Sequence, residues 1–378
     1  MDSFYSKLNE IESKFYEACD DYVFKEAAKF KGKQAKGICL LCASLISMAA
    51  AIVFFLKGFS EPVLFVSVIV LFVFCFALYQ CSVDFKTELK QKCFPKMIDA
   101  FENLHYLGVF DDREIMPDKK LKNSGVFTQN YDYNIRTCDD CFTGSFNSTK
   151  FNVCELELIK SGGKSSVTTF KGIAIEFHLK NQIEAPVRIL TKAAKIDDNI
   201  SFTLGLVVIS LLVVIMIPLI GFMIFTSLDL DKGVGSFDMP MFFLEVFNII
   251  MLLVLTGLMM FGIYSIIKWR IAKNNIPKLD LDDAYIGKKY LIYSQDKNVA
   301  YDLITRDFAD LLDEIQKTFK TNKIRCSFFN HSLMLAISTR RDWFELGGIF
   351  GKLNDKRRTK EFFNVFSLIC KIADYLNK

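Results

Sequence analysis

The sequence predicts an α+β membrane protein: four transmembrane helices in two hairpins, plus a cytoplasmic antiparallel-sheet α+β domain split by the second hairpin. Three observations lead there. Four apolar runs reach about 20 residues, the length a helix needs to cross a hydrocarbon core. Lysine and arginine gather on one side of every run. The polar stretches between the hairpins alternate at strand period, bordered by stretches at helical period. Composition fits this division, since 51% of the residues are hydrophobic but 24% are charged, too many for a chain wholly inside a bilayer.

The first two spans are residues 38–56 and 63–81, joined only by Lys57-Gly-Phe-Ser-Glu-Pro62, so they form a tight hairpin. The third and fourth are residues 201–226 and 241–267. The leader before the first span is too long and polar for a cleaved signal peptide, so that span reads as an uncleaved anchor. Orientation follows from the basic residues near the span ends. Lys25, Lys29, Lys31, Lys33 and Lys36 precede the first span, and Lys86, Lys90, Lys92 and Lys96 follow the second. Arg188, Lys192 and Lys195 precede the third, and Lys268, Arg270, Lys273 and Lys278 follow the fourth. Each hairpin loop carries a single lysine, Lys57 or Lys232. Both termini and both large polar segments are therefore expected in the cytoplasm.

Little within the spans resembles transport chemistry. Glu245 is an ionisable candidate at membrane depth, read here as an interfacial residue reaching the headgroups. Asn248 reads as a helix–helix hydrogen bond, and Pro218 as a kink. Ala43, Ser47 and Ala51 give the first span a small-residue face for close packing.

Residues 1–37 form an amphipathic helix with Phe4, Leu8, Ile11, Phe15, Cys19 and Val23 at helical spacing. Residues 38–81 are the first hairpin. Residues 82–200 hold a second helix, through Phe85, Leu89, Met97, Phe101 and Leu104, and the first half of the cytoplasmic domain. There residues 151–160, 173–180 and 187–190 read as strands with one wet face. Residues 201–267 are the second hairpin, and 268–378 the second half of the domain. That half offers a strand at 289–294, a helix at 298–319, a β-hairpin turning at Asn330-His331 and a helix at 359–376. The two halves are expected to fold as one unit.

The net charge of +4 lies mostly beside the spans, and no basic stripe marks a nucleic-acid surface. Eleven cysteines show no disulfide framework, and those of the cytoplasmic segments are expected to stay reduced. Cys138-Asp-Asp-Cys141 has a chemical reading, as half a zinc site or a redox pair. No second CxxC appears in a soluble segment, and the motif sits among strand and turn signals, so coincidence in a cysteine-rich chain is the plainer reading. His105, His178 and His331 fall on three different elements. Asn147-Ser-Thr149 matches a glycosylation acceptor, silent in the cytoplasm. No catalytic, cofactor-binding or metal-ligating residue is assigned, and no cofactor.

Several stretches resemble the bacterial membrane-protein family known as domain of unknown function 3137. They are Ser124-Gly-Val-Phe127 with Tyr131, the acidic and glycine stretch 139–144, Cys154-Glu-Leu156 and Phe170-Lys-Gly-Ile173. The most specific is Lys289-Tyr-Leu-Ile-Tyr-Ser-Gln-Asp296, leading through Ala300-Tyr301 to Phe344-Glu345. Asp302 departs from the family's arginine-tyrosine pattern, and residues 201–267 interrupt a segment that family members run straight through. The resemblance implies an N-terminal helix, a transmembrane hairpin and a soluble α+β domain, and it brings no activity.

The function expected from these features is that of a multi-pass inner-membrane binding or scaffold protein. Its partners would be the lipid bilayer and either another protein or a second copy of the chain. The alternative is a membrane-tethered enzyme, redox or metal-dependent through Cys138 and Cys141.

Overall fold

The structure, a computed structural model, describes residues 2–194 and 276–377, interrupted at 59–60, 102, 109–111, 128–132, 163–164, 281–282 and 354, together with Gly257. The expected third and fourth spans, with Pro218, Glu245 and Asn248, lie outside the described residues except for Gly257. The chain divides into two compact units, Met1–Ile189 with Asp296–Lys378, and Leu190–Gln295.

The larger unit begins with helices. α1 (Asp2–Ala18) passes through a π-helical turn (Cys19–Val23) into α2 (Phe24–Lys29) and α3 (Lys31–Leu56). After a short turn, α4 (Glu61–Ile98) returns, with Pro95 inside it, and ends in a 3-10 turn (Asp99–Phe101). α3 and α4 carry two stretches long and apolar enough to cross a membrane. Their apolar side chains point outward, as a lipid-facing surface requires: Phe55, Leu56, Phe65 and Phe72 are all exposed. Beyond the apolar runs the two helices stay paired. Phe30 meets Phe85 edge-on at 5.7 Å, Lys33 pairs with Glu88, and the Lys92 ammonium lies 5.3 Å over the Phe30 ring.

α1 lies on the α+β domain through the apolar stripe its spacing predicts. Phe4, Ile11, Phe15, Cys19 and Val23 are all buried. Phe15 packs on Phe101, Phe362 and Phe363 with ring centroids 5.3–6.1 Å apart.

The sheet of this unit runs β1 (Leu104–Gly108), β2 (Ile135–Phe146), β3 (Thr149–Gly162), β4 (Ser165–Thr191), each antiparallel to the last, and β7 (Ile324–Ser338) pairs with β4. Asn147 and Ser148 join β2 to β3 with φ of 45° and 72°. Positive φ at both central residues is the backbone of a two-residue hairpin, whose twist matches that of the strands. In β7 the chain reverses on itself: Asn330 has φ of 49°, and the Ser338 amide donates to the Lys323 carbonyl at 3.0 Å.

The sheet has no wet face along its centre, contrary to the alternation expected. In β4, Ile173, Ala174, Ile175, Glu176 and Phe177 are all buried. One face packs on α4 and on α10 (Lys356–Leu376), where Phe142 touches Phe94, Phe344, Phe362 and Phe366. The other is covered by Met116, by Leu121 of α6 (Asp118–Ser124), and by Val126, Phe127 and Tyr133, which share one core with Phe329, Met334 and Ala336 of β7. Short α5 (Asp112–Ile115) leads into that cover. The buried Glu176 is tolerated because Lys120 and Ser332 both reach it.

The helix expected over 298–319 is two. α8 (Lys297–Leu303) ends before Thr305, whose hydroxyl accepts from the Phe308 amide at 3.2 Å and caps α9 (Arg306–Phe319). A side chain that satisfies an otherwise unpaired helical amide starts a new helix there. Among its described residues, the smaller unit holds α7 (Ala284–Lys289), capped by Asp283, and an antiparallel pair of β5 (Lys278–Leu279) with β6 (Tyr290–Ser294).

Candidate functional site

The Asn147-Ser148 turn sets the register of β2 against β3. Phe146 lies opposite Thr149, so five residues further out Cys141 falls opposite Cys154. Their Cα atoms are 4.4 Å apart and a disulfide joins them. The expectation that these thiols stay apart and reduced is corrected here. Directly opposed residues at the close, non-hydrogen-bonded positions of an antiparallel ladder are near enough for two sulfurs to meet.

Cys138 reaches the same place through an irregularity. Cys138 pairs with Leu156 while Cys141 pairs with Cys154, three steps on β2 against two on β3. On a regular strand, residues three apart point to opposite faces. The extra residue of the bulge reverses that parity and turns both cysteines the same way. The Cys138 Sγ lies 3.3 Å from the Cys141 Sγ, and all three sulfurs lie within 4.8 Å of one another. Cys141 and Cys154 are fully buried, whereas Cys138 is half-buried and lines a cavity of about 340 Å³.

The same bulge presents Asp139 and Asp140. Their carboxylates gather with those of Glu155 on β3 and Asp342 after β7, all within 4.8 Å. α4 sends Lys90 into the group, with its ammonium 2.6 Å from Asp140 and 3.3 Å from Asp139. The Tyr106 hydroxyl donates to Asp140 at 2.7 Å. Burial pushes the Asp140 carboxyl up to about 6, with Asp139 adding to the rise and Lys90 opposing it. Burial and the neighbouring carboxylates Asp342, Asp140 and Asp139 push Glu155 up to about 8. Asp342 is raised to about 6, again chiefly by burial. Burial works against the charge on Lys90, but the surrounding carboxylates outweigh it and hold the ammonium protonated. Among the described residues, no donor reaches Glu155 Oε2 or Asp342 Oδ1.

Chemically, the arrangement offers a half-buried thiol facing a buried disulfide, which is the geometry of thiol–disulfide exchange. Fully reduced, the three thiolates would be three of the four ligands of a structural zinc. The other thiols outside the apolar runs are poor competitors: burial pushes Cys19, Cys93 and Cys370 up to about 12, and Cys326 well above its ordinary value.

Sequence reasoning singled out Cys138 and Cys141 and missed Cys154, although the Asn147-Ser148 turn was a usable signal: counting outward from it pairs 141 with 154. It also missed the carboxylate group, whose members come from three segments. His178 and His331, from separate elements, line one cavity with Lys119 and Lys120, while His105 is exposed on β1.

Residues 250–378 match the family described as a protein of unknown function, DUF3137. Over this stretch, about a third of the chain, the sequence is similar to that family. The DUF3137 match takes in the block at 289–296 and Phe344-Glu345, whereas β2, β3 and their cysteines precede it. No curated protein and no solved structure matches the chain.

Proposed function

We propose that this protein is a multi-pass membrane protein whose soluble domain carries out thiol–disulfide exchange. The observation that carries the reading is the third sulfur, Cys138 Sγ, at 3.3 Å from one end of a buried disulfide and at the wall of a cavity. The binding or scaffold role expected first from the sequence, with a protein partner or a second copy of the chain, rests on no comparable feature among the described residues. The alternative through Cys138 and Cys141 now rests on three sulfurs.

The membrane part of the proposal has α3, α4 and residues 201–267 forming four spans of a bacterial inner membrane. The lysine and arginine asymmetry supports both termini and the domain on the cytoplasmic side. Disulfides in that compartment are transient and serve catalysis or redox sensing. A cytoplasmic Cys141–Cys154 bond would therefore be a working bond.

In the exchange step the Cys138 thiolate attacks the Cys141 sulfur. A Cys138–Cys141 bond forms, the Cys141–Cys154 bond breaks, and Cys154 leaves as a thiolate that takes up the proton Cys138 gave up. The isomerisation consumes no electrons. The new disulfide includes the half-buried Cys138, so a small-molecule or protein thiol can attack it. A second thiol equivalent then completes the two-electron reduction and departs as a disulfide.

The test compares full-length wild-type chain with Cys138→Ser, both in detergent, during reduction by glutathione followed by non-reducing peptide mapping. The expected result is loss of the Cys141–Cys154 link at least about tenfold slower in the variant, because the buried sulfurs are shielded from direct attack. Equal rates, or one zinc per chain released by Cys138→Ser, would remove the reading.

A further inference from the structure

We propose that the loop at 347–351 is a membrane-contact element, which beds Phe350 in the headgroup region of a bilayer containing anionic phospholipids. The proposal rests on α3 and α4 crossing the bilayer, the membrane part of the reading above, and not on its thiol chemistry. Two sets of contacts fix the loop to the helices where their apolar runs begin. On α3, the Gln34 side-chain amide donates to the carbonyls of Gly348 at 3.1 Å and Gly351 at 2.8 Å. Ile349 is buried against Gly37, where even a methyl group would collide with it. On α4, the Lys86 ammonium bonds Glu345 at 2.6 Å, just before the loop.

These contacts set a depth. Gly37 directly precedes Ile38, where the apolar run starts, and Lys86 lies five residues past Cys81, where the second run ends. At about 1.5 Å per residue, both anchors fall within about 8 Å of the apolar boundary. The headgroup layer on each side of a bilayer is about 5–8 Å thick. The loop also runs toward the bilayer, since Ile349 meets α3 one turn nearer the apolar run than Gln34 does.

The tip has the composition for that layer. Among the described residues, Phe350 is the only exposed phenylalanine outside α3 and α4, at 57% exposure. An isolated exposed aromatic ring at headgroup depth gains the most by entering the interface, where aromatic side chains concentrate in membrane proteins. Exposed Lys352 and Arg357 follow the tip, and Lys31, Lys33 and Lys36 precede the span. Basic residues at a bilayer surface each add about 1 kcal/mol of attraction when the lipid is anionic. The occupant that fits an exposed aromatic tip at this depth, with basic residues close by in sequence, is the lipid surface.

The experiment uses the full-length chain in vesicles of phosphatidylcholine with phosphatidylglycerol, with bromine carried near the headgroup or deep in the acyl chains. Phe350→Trp and, separately, Phe72→Trp at the middle of the apolar run of α4 are each read as the difference in emission from the parent chain. The expected result is a blue-shifted Phe350→Trp signal, lost with shallow bromine, and weaker loss when phosphatidylglycerol is omitted. Phe72→Trp should lose its signal with deep bromine. If Phe72→Trp is quenched and Phe350→Trp emits as in water, the loop proposal fails while the spans stand. If neither is quenched, the membrane reading fails and the proposal with it.

Discussion

Lys90 places its ammonium among carboxylates at 5% exposure, a position held only by its partners. Removing one member of a buried ion pair strands the other, and the cost is about 3–5 kcal/mol. Lys90→Met should therefore destabilise the domain by about that amount in urea unfolding, and Lys90→Met with Asp140→Asn should recover a large part of the loss. A change below about 1 kcal/mol in the single variant would place the pair in water. Glu155 makes the complementary prediction. Its carboxyl is raised from 4.5 to about 8, so the folded state holds the proton more tightly than the unfolded chain. That stabilisation is complete below about pH 4.5 and is lost as pH rises through about 8. Asp140 and Asp342, raised to about 6, act in the same direction. Stability should fall between pH 5 and pH 8, and Glu155→Gln should flatten the fall and gain on the order of 2 kcal/mol at pH 8. Chemical denaturation at a series of pH values reads both effects.

Among the elements, β4 and β7 hold the two separated stretches of the larger unit together. Gly172 has φ of 152° and approaches the Ile337 carbonyl so closely that an added Cβ would collide with backbone, while the Thr339 amide donates to the Lys171 carbonyl at 3.0 Å. Gly172→Ala should cost on the order of 4 kcal/mol, because backbone cannot move aside as a side chain can. Thermal unfolding of the variant checks this. Helical periodicity was legible in the sequence, since the stripe Phe4, Ile11, Phe15, Cys19 and Val23 is buried as its spacing predicts. So were the antiparallel sheet texture and the turn at Asn330. The second face of the sheet was not, because Ala174 and Glu176 look solvent-facing until Met116, Leu121, Val126, Phe127 and Tyr133 cover that face. The site was half legible. Cys138 and Cys141 stood out by spacing, but period-two reading puts them on opposite faces, and a bulge leaves no mark in local hydropathy. The carboxylates and Lys90 come from α4, β2, β3 and the segment after β7, an assembly that only tertiary structure creates.

At the scale of the whole molecule, two apolar helices lead into an α+β domain whose sulfur group would face a reducing compartment if the basic residues set the orientation. Reporter fusions at Lys278 and at the C-terminus should then report cytoplasm, and fusions at Lys57 and Gly233 the opposite side. A periplasmic C-terminus would turn the Cys141–Cys154 bond into an ordinary structural one. The most direct test of the exchange reading is a disulfide map of the full-length chain in its own membrane, quenched with acid, alkylated and digested without reduction. The account predicts that Cys141–Cys154 and Cys138–Cys141 links are both recovered, that the two fall together at a constant ratio as external thiol is raised, because their interconversion consumes no electrons, and that Cys154→Ser retains only the second. Finding Cys141–Cys154 alone at every thiol concentration, or all three thiols alkylated throughout, would contradict it.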